Sequence, residues 1–303
     1  AAALHPRARA LVYGALAANS GEVSMAAAIA VLVGGSPSVE QVVDHGRKRF
    51  RAISMDKLTP DIFDSSYVDL RWYNLSHHAS LDGVDAFISH SWRDSATAKW
   101  TALQKWRADF VHAHGREPIV WLDKCSLNQL SWPADLRCLP IFLAGSHELV
   151  MLVGPTILER LWCVAELFVF QQMHAGARIT VCVLPGTNLL ENIRRFDVRA
   201  CRCEYEDDRD RLLAAMQVTS GSLDTFTHQA RAILLAAIGS QAPFGSASAG
   251  SPQDAAEASE APAGAPTADI AATSPPPASA PVVQEHPLLP SRDEEAAQGG
   301  GAQ

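Results

Sequence analysis

No window of this 303-residue chain holds 18 consecutive apolar residues; its best candidate, Met25 to Val33, is nine long. A membrane-spanning helix needs about twenty, so no membrane partner is expected. Phosphate-cradling glycine motifs are missing too. Neither G-x-G-x-x-G nor G-x-x-x-x-G-K-[ST] occurs, which removes the ordinary dinucleotide-fold and P-loop readings. G-x-S-x-G and H-E-x-x-H are also absent, and with them the esterase elbow and the zincin helix. The six cysteines include no C-x-x-C pair, so no metal site is expected, and scattered thiols suit a reducing cytoplasm. Positive charge is in deficit, with 25 basic against 33 acidic side chains. That balance argues against a nucleic-acid partner.

The deficit has an address. Residues 242–303 carry eight of the acidic side chains, one basic one (Arg292), ten of the 18 prolines and a single aromatic, Phe244. Such a segment, which includes the run Thr273-Ser-Pro-Pro-Pro-Ala-Ser-Ala-Pro281, cannot bury enough apolar surface to offset chain entropy. It is expected to be a disordered tail. The remaining residues, 1–241, are within one charge of neutral. All seven tryptophans lie between Trp72 and Trp162, and all six cysteines between Cys125 and Cys203. Both clusters place one α/β domain at about 81–241, after a helical region at 1–80 with helical segments at 8–18, 25–33 and 39–50.

Within 81–241 the pattern alternates. Short apolar runs at Val84–Ser89, Pro118–Leu122, Leu149–Val153 and Ile179–Leu184 predict strands, with a weaker fifth at Val198–Glu204. Between them, helices are expected from Asp94 (with Trp100, Leu103, Trp106 and Phe110 on one stripe), over Leu136–Leu143, from Gly154 to Met173, and over Arg209–Ile238 with a break at Ser220-Gly221. Strand–helix alternation with short connections implies a parallel sheet covered on both faces. Polar residues then gather where such sheets build sites, at the carboxyl ends of strands. One set is Ser89, His90, Ser91, Trp92, Arg93 and Asp94; another is Asp123, Lys124, Cys125 and Ser126. A third is Glu166, alone in the apolar run Leu161–Phe170, with Trp162 one turn earlier on the same face. A carboxylate so placed is either partnered, with Arg160 and Arg178 as candidates, or functional.

Three of these segments together resemble a known family. Asp85-Ala-Phe-Ile-Ser-His-Ser-Trp-Arg-Asp94, Val120-Trp-Leu-Asp123 and Leu161-Trp-Cys-Val-Ala-Glu-Leu167 are similar, in order and spacing, to the successive signatures of TIR (Toll/interleukin-1 receptor) domains of the plant-type W-C-x-x-E-L variety. The resemblance covers about 84–240. It implies a flavodoxin-like TIR fold, an α/β architecture with a five-stranded parallel sheet and helices on both faces. It also implies self-association and, in enzymatic members, cleavage of NAD+ at the nicotinamide–ribose bond, with NAD+ as substrate and no bound cofactor. Carried over residue by residue, the catalytic glutamate falls on Glu166. The substrate-binding positions fall on Trp162, Arg93, Trp92, Ser91 and Asp123. An assembly loop falls on Lys124, Cys125, Ser126, Leu127, Asn128 and Gln129. This loop has no glycine up to Pro133, where many members carry one.

The chemistry is economical in residues. Nicotinamide in NAD+ already leaves as a neutral molecule, so bond cleavage needs little proton donation. Charge accumulates on the ribose as an oxocarbenium ion, which one carboxylate can stabilise. A blander account stands beside each residue: Trp162 as core packing, Arg93 and Asp94 as helix-start capping, Cys163 as a small buried hydrophobe. Three functions follow as expectations: a TIR-type NAD+ glycohydrolase activated by self-association in a signalling or defence context, a non-enzymatic homotypic interaction module, and a different nucleoside-processing transferase.

Overall fold

The computed structural model describes residues 29–30, 39–64, 70–128, 135–173 and 178–240. The chain divides into two units, Ala1–Ala247 and Ser248–Gln303, and every described residue belongs to the first. The expected tail and the helical segment at 8–18 lie outside the described residues.

Six strands form one sheet: β1 (Arg51–Ser54), β2 (His77–His78), β3 (Val84–His90), β4 (Ile119–Trp121), β5 (Ser146–Val153) and β6 (Arg178–Val183), in the order β2-β1-β4-β3-β5-β6. The four later strands run parallel, and β1 is antiparallel to both β4 and β2. The sheet is therefore mixed and six-stranded, not the five-stranded parallel sheet expected. Both differences have local causes. Arg51-Ala-Ile-Ser54 is too short to display a period, and Ala52 and Ile53 are both buried. At the other edge, the expected strand over 198–204 is pre-empted by a 3-10 turn at Val198–Ala200, capped by Asp197, whose side chain accepts from Arg199 N at 2.9 Å. Arg202 then makes a lone parallel bridge to Arg160 and does not join β6.

Alternation puts each strand's side chains into two separate cores. Phe87, Leu149, Met151, Val153, Ile179 and Val181 belong to one; Ala86, Ile88, Val120, Leu122, Val150 and Leu152 belong to the other. Such strands, buried on both faces, read as continuous apolar runs. The helices are α1 (Val39–Arg49), α2 (Asp61–Asp64), α3 (Leu70–Leu75), α4 (Ala96–His114), α5 (Asp123–Ser126), α6 (Leu139–Ala144), α7 (Leu161–Met173), α8 (Leu189–Arg195), α9 (Glu206–Ser220) and α10 (Leu223–Ser240). Residues of α6, α7, α9 and α10 fill the first core. Leu103 and Trp106 of α4, with Phe63 of α2 and Trp72 of α3, fill the second.

Two helix boundaries decide what reaches the site. α4 starts at Ser95, whose hydroxyl accepts from Ala98 N, and stops at Gly115 in the left-handed region (φ 67°), the usual device for ending a helix. The helix expected from Gly154 onward is instead a 3-10 turn at Ile157–Glu159, an extended Arg160, and only then α7. Arg160 breaks the run because its neighbours bond to Arg202: Arg202 N donates to Glu159 O and Leu161 N to Arg202 O. Glu159 therefore does not share a helix with Glu166.

Candidate active site

The parallel strands have the order second-first-third-fourth, so connections leave β3 and β5 toward opposite faces. Open α/β sheets bind their ligands at such a switch point, here beyond the carboxyl ends of β3 and β5. Ser89 and His90 end β3, Ser91 to Asp94 follow it, Asp123 follows β4, and Gly154 to Thr156 follow β5.

Because neighbours on a strand face opposite ways, Ser89 points toward α7 and His90 toward α2 and α5. The Ser89 hydroxyl donates to Glu166 Oε2 at 2.6 Å. Glu166 Oε1 takes no hydrogen bond from a described residue and is not among the buried unpartnered oxygens, so solvent reaches it. No ion pair with Glu166 forms among the described residues: Arg178 lies 3.6 Å from Glu148 instead. Burial pushes the Glu166 carboxyl up to about 8, the Ser89 hydrogen bond holds it back in part, and the Asp123 charge raises it further.

Asp123 is Glu166's opposite. His90 Nε2 lies 3.1 Å from Oδ1, Lys124 N donates to the same oxygen at 2.7 Å, and Trp92 Nε1 donates to Oδ2 at 2.6 Å. Burial works to raise this carboxyl, but the His90 charge and hydrogen bond, with Trp92 and Lys124, outweigh it and bring it to about 2. Trp92 is thereby held in place by its edge. The Lys124 ammonium sits 4.9 Å from its ring centroid, a cation–π contact. Trp92 nonetheless remains 36% exposed, a flat side chain beside an anion.

A second network lies underneath. Asp94 Oδ1 accepts from Thr156 N at 3.0 Å and from Thr156 Oγ1 at 2.8 Å, and Ser91 Oγ lies 2.7 Å from Thr156 Oγ1. These bonds tie the loop after β3 to the loop after β5. Lys99, with no exposed surface, donates to Ser91 O at 2.9 Å and lies 5.2 Å from the Phe63 ring centroid. Its burial, with repulsion from Lys124, lowers it to about 8 despite nearby Asp123 and Asp94. Cys163 is buried and bonds to His90 O at 3.4 Å; burial, and the Glu166 charge, drive its thiol well up, so it is no nucleophile.

The expected site residues are thus sorted. Glu166, Asp123, Trp92 and Ser91 come together around the ends of β3 and β4. Trp162 is half-buried against the first core, one turn before Glu166. Arg93 is exposed, and its guanidinium bonds to no described residue. Of the six assembly-loop residues, Lys124, Cys125 and Ser126 form the buried turn α5 and Leu127 is buried beside it. Asn128 is partly exposed, and Gln129 lies outside the described residues. The segment expected as an assembly loop is, over its first four residues, packed inside the protomer, because a helical turn starts at Asp123 directly after β4.

Sequence reasoning passed over Lys99, Ser89 as the partner of Glu166, and Thr156. For Lys99 a signal existed: it stands four residues before Leu103 and seven before Trp106, on the buried stripe of α4. For Thr156 none did, since its bond to Asp94 spans 62 positions.

No protein-family model and no curated protein matches this chain. Its site must be judged on its own chemistry.

Proposed function

We propose that this chain is a TIR-type NAD+ glycohydrolase, with Glu166 as its catalytic carboxylate and self-association as its trigger. What supports the reading above all is Glu166 itself: one oxygen bonded to Ser89, the other open to solvent, no cation among the described residues paired with it, at the switch point of the parallel strands. A carboxylate serving only the fold would be expected to bond an arginine or lysine.

In this reading the nicotinamide–ribose bond lies over Glu166. The C1′–N bond breaks, its electron pair leaves with nicotinamide, and the ribose becomes an oxocarbenium ion. The Glu166 carboxylate and the fixed charge of Asp123 stabilise it. Water adds to C1′ and loses a proton, giving ADP-ribose. Trp92 offers its exposed ring as a stacking surface, and Trp162 a wall one turn from Glu166. Burial raises the Glu166 pKa, which opposes catalysis in the empty site, but a cationic nicotinamide ring restores the ionised form on binding.

The test is release of nicotinamide from NAD+ by the full chain at high protein concentration, where protomers associate. Glu166→Gln or Glu166→Ala is expected to abolish release, and specific activity is expected to rise with concentration. Full activity in either variant removes Glu166 from the mechanism. No release at any concentration from a chain that self-associates leaves a homotypic interaction module.

A further inference from the structure

We infer that the same site also cleaves N-ribosyl bonds to neutral bases, with Glu166 as general acid, so that purine nucleosides are substrates alongside NAD+. The inference rests on the reading of Glu166 as the carboxyl that faces the ribose, but it asks something different of it. NAD+ expels a neutral leaving group unaided. A neutral base leaves as an anion unless a proton reaches it during cleavage, so its removal requires an acid that the NAD+ reaction does not.

The crevice holds such an acid. Ser89 occupies Glu166 Oε2, which leaves a proton on the carboxyl to sit at Oε1, the oxygen open to solvent. Among the described residues, no side chain but Ser89 bonds to Glu166. On β3 the nearest groups are Ser89, bonded to it, and His90, turned to the other face and bound to Asp123. On α5 they are Asp123 and Lys124, the latter against Trp92. On its own helix Cys163 stays a thiol. α6, which also packs on α7, carries no titratable side chain between Leu139 and Ala144. The arginines of α9 and α10 turn elsewhere. Arg209 bonds to the carbonyls of Cys201 and Arg199, Arg211 pairs with Asp208, and Arg231 bonds to the carbonyl of Phe196. Asp224 pairs with Arg199.

The second requirement is an anion that stays ionised nearby. Asp123, bound by His90, Lys124 N and Trp92, is that anion. Two carboxyl groups whose surroundings force opposite protonation states are the usual mark of an acid paired with a charge stabiliser. The step balances. The C1′–N bond of the nucleoside breaks and its electron pair goes to the base. The Oε1 proton passes to a ring nitrogen of the base. Glu166, now a carboxylate, and Asp123 stabilise the oxocarbenium ion. Water adds to C1′ and returns a proton to Glu166. Free base and ribose are the products.

The two reactions need opposite forms of one group, and pH separates them. For NAD+, kcat/KM should climb about tenfold per pH unit and level off above pH about 8. For inosine or adenosine it should stay level and then fall above the same point. Ser89→Ala, which removes a bond that favours the ionised carboxyl, should move both limbs to higher pH. Glu166→Gln should lower both activities by about 10²–10⁴-fold, with a melting curve to confirm folding. NAD+ cleavage without base release from inosine or adenosine overturns this inference and leaves the glycohydrolase standing. Nucleoside cleavage that rises with pH in parallel with NAD+ overturns it as well. Nucleoside cleavage alone, with the falling limb, supports Glu166 as general acid but overturns NAD+ as a companion substrate; no cleavage of either removes both.

Discussion

Single residues set the geometry of the crevice, and one of them does so by what it leaves out. A Cβ added at Gly154 would overlap Asp94 Cγ and Oδ2, so the loop after β5 approaches the Asp94 side chain only because position 154 has none. Gly154→Ala is expected to push Asp94 off Thr156 and cost about 1–3 kcal/mol, as overpacking does. Urea unfolding measures it, and an unchanged midpoint would show that the two loops part freely. Asp94 also carries a buried, unpartnered Oδ2, which adds to the reasons the surrounding packing has little slack.

At the level of elements, α7 matters most because its start is fixed from a distance. The bridge between Arg160 and Arg202 stops the preceding 3-10 turn from running on into the helix. It thereby sets which residues of α7 face β3. Another long-range tie holds α1. Arg49 bonds to buried Asp135, which also accepts from Asn128 N at 2.7 Å. Asp135→Ala is expected to loosen α1 and the end of the α5 turn together, at about 1–3 kcal/mol, read as faster amide exchange in both segments. Exchange confined to one of them would separate the two roles.

The same contrast explains what the sequence made legible. Strands β3, β5 and β6 could be read because their apolar runs are long and bounded by turn residues. Glu166 stood out because a lone carboxylate in an apolar helix is expensive. β1 escaped notice, since four residues with two neighbouring buried side chains carry no period. The 198–204 segment misled, because an Asp197 cap competes with strand formation at no visible cost to the pattern. Polar residues after β4 suggest a loop, whereas Asp123–Ser126 form a helical turn in which Lys124 is buried with its ammonium over the Trp92 ring. Ser89 and Thr156 gained their partners only through the sheet, 77 and 62 positions away.

For the whole molecule, the crevice is a stability cost that depends on pH. Glu166 has an ordinary value of 4.5 and a folded value of about 8, so the folded state binds a proton that the unfolded chain has released between those values. Stability associated with this group is full below pH about 4.5 and lost progressively as pH rises to about 8. Glu166→Gln cannot ionise. It is expected to raise the melting temperature at pH 8 by an amount worth about 1–3 kcal/mol and to flatten the decline from pH 5. Thermal melts at both pH values check it; an equal shift at the two would mean that packing, not ionisation, is responsible. Lys99 has the opposite sign, since its depressed value of about 8 favours the folded state more as pH climbs past it. The two side chains therefore partly offset one another in alkaline solution. The antiparallel edge has a different kind of consequence, in time. Ile53 of β1 pairs opposite Val120 of β4, so the strand that leaves the ribosome first must wait for a partner made 67 positions later. At about 5–20 residues per second that is roughly 3–13 s, during which Arg51 and Ala52 can pair only with the two-residue β2, and Ile53 depends on whatever shields it until β4 emerges.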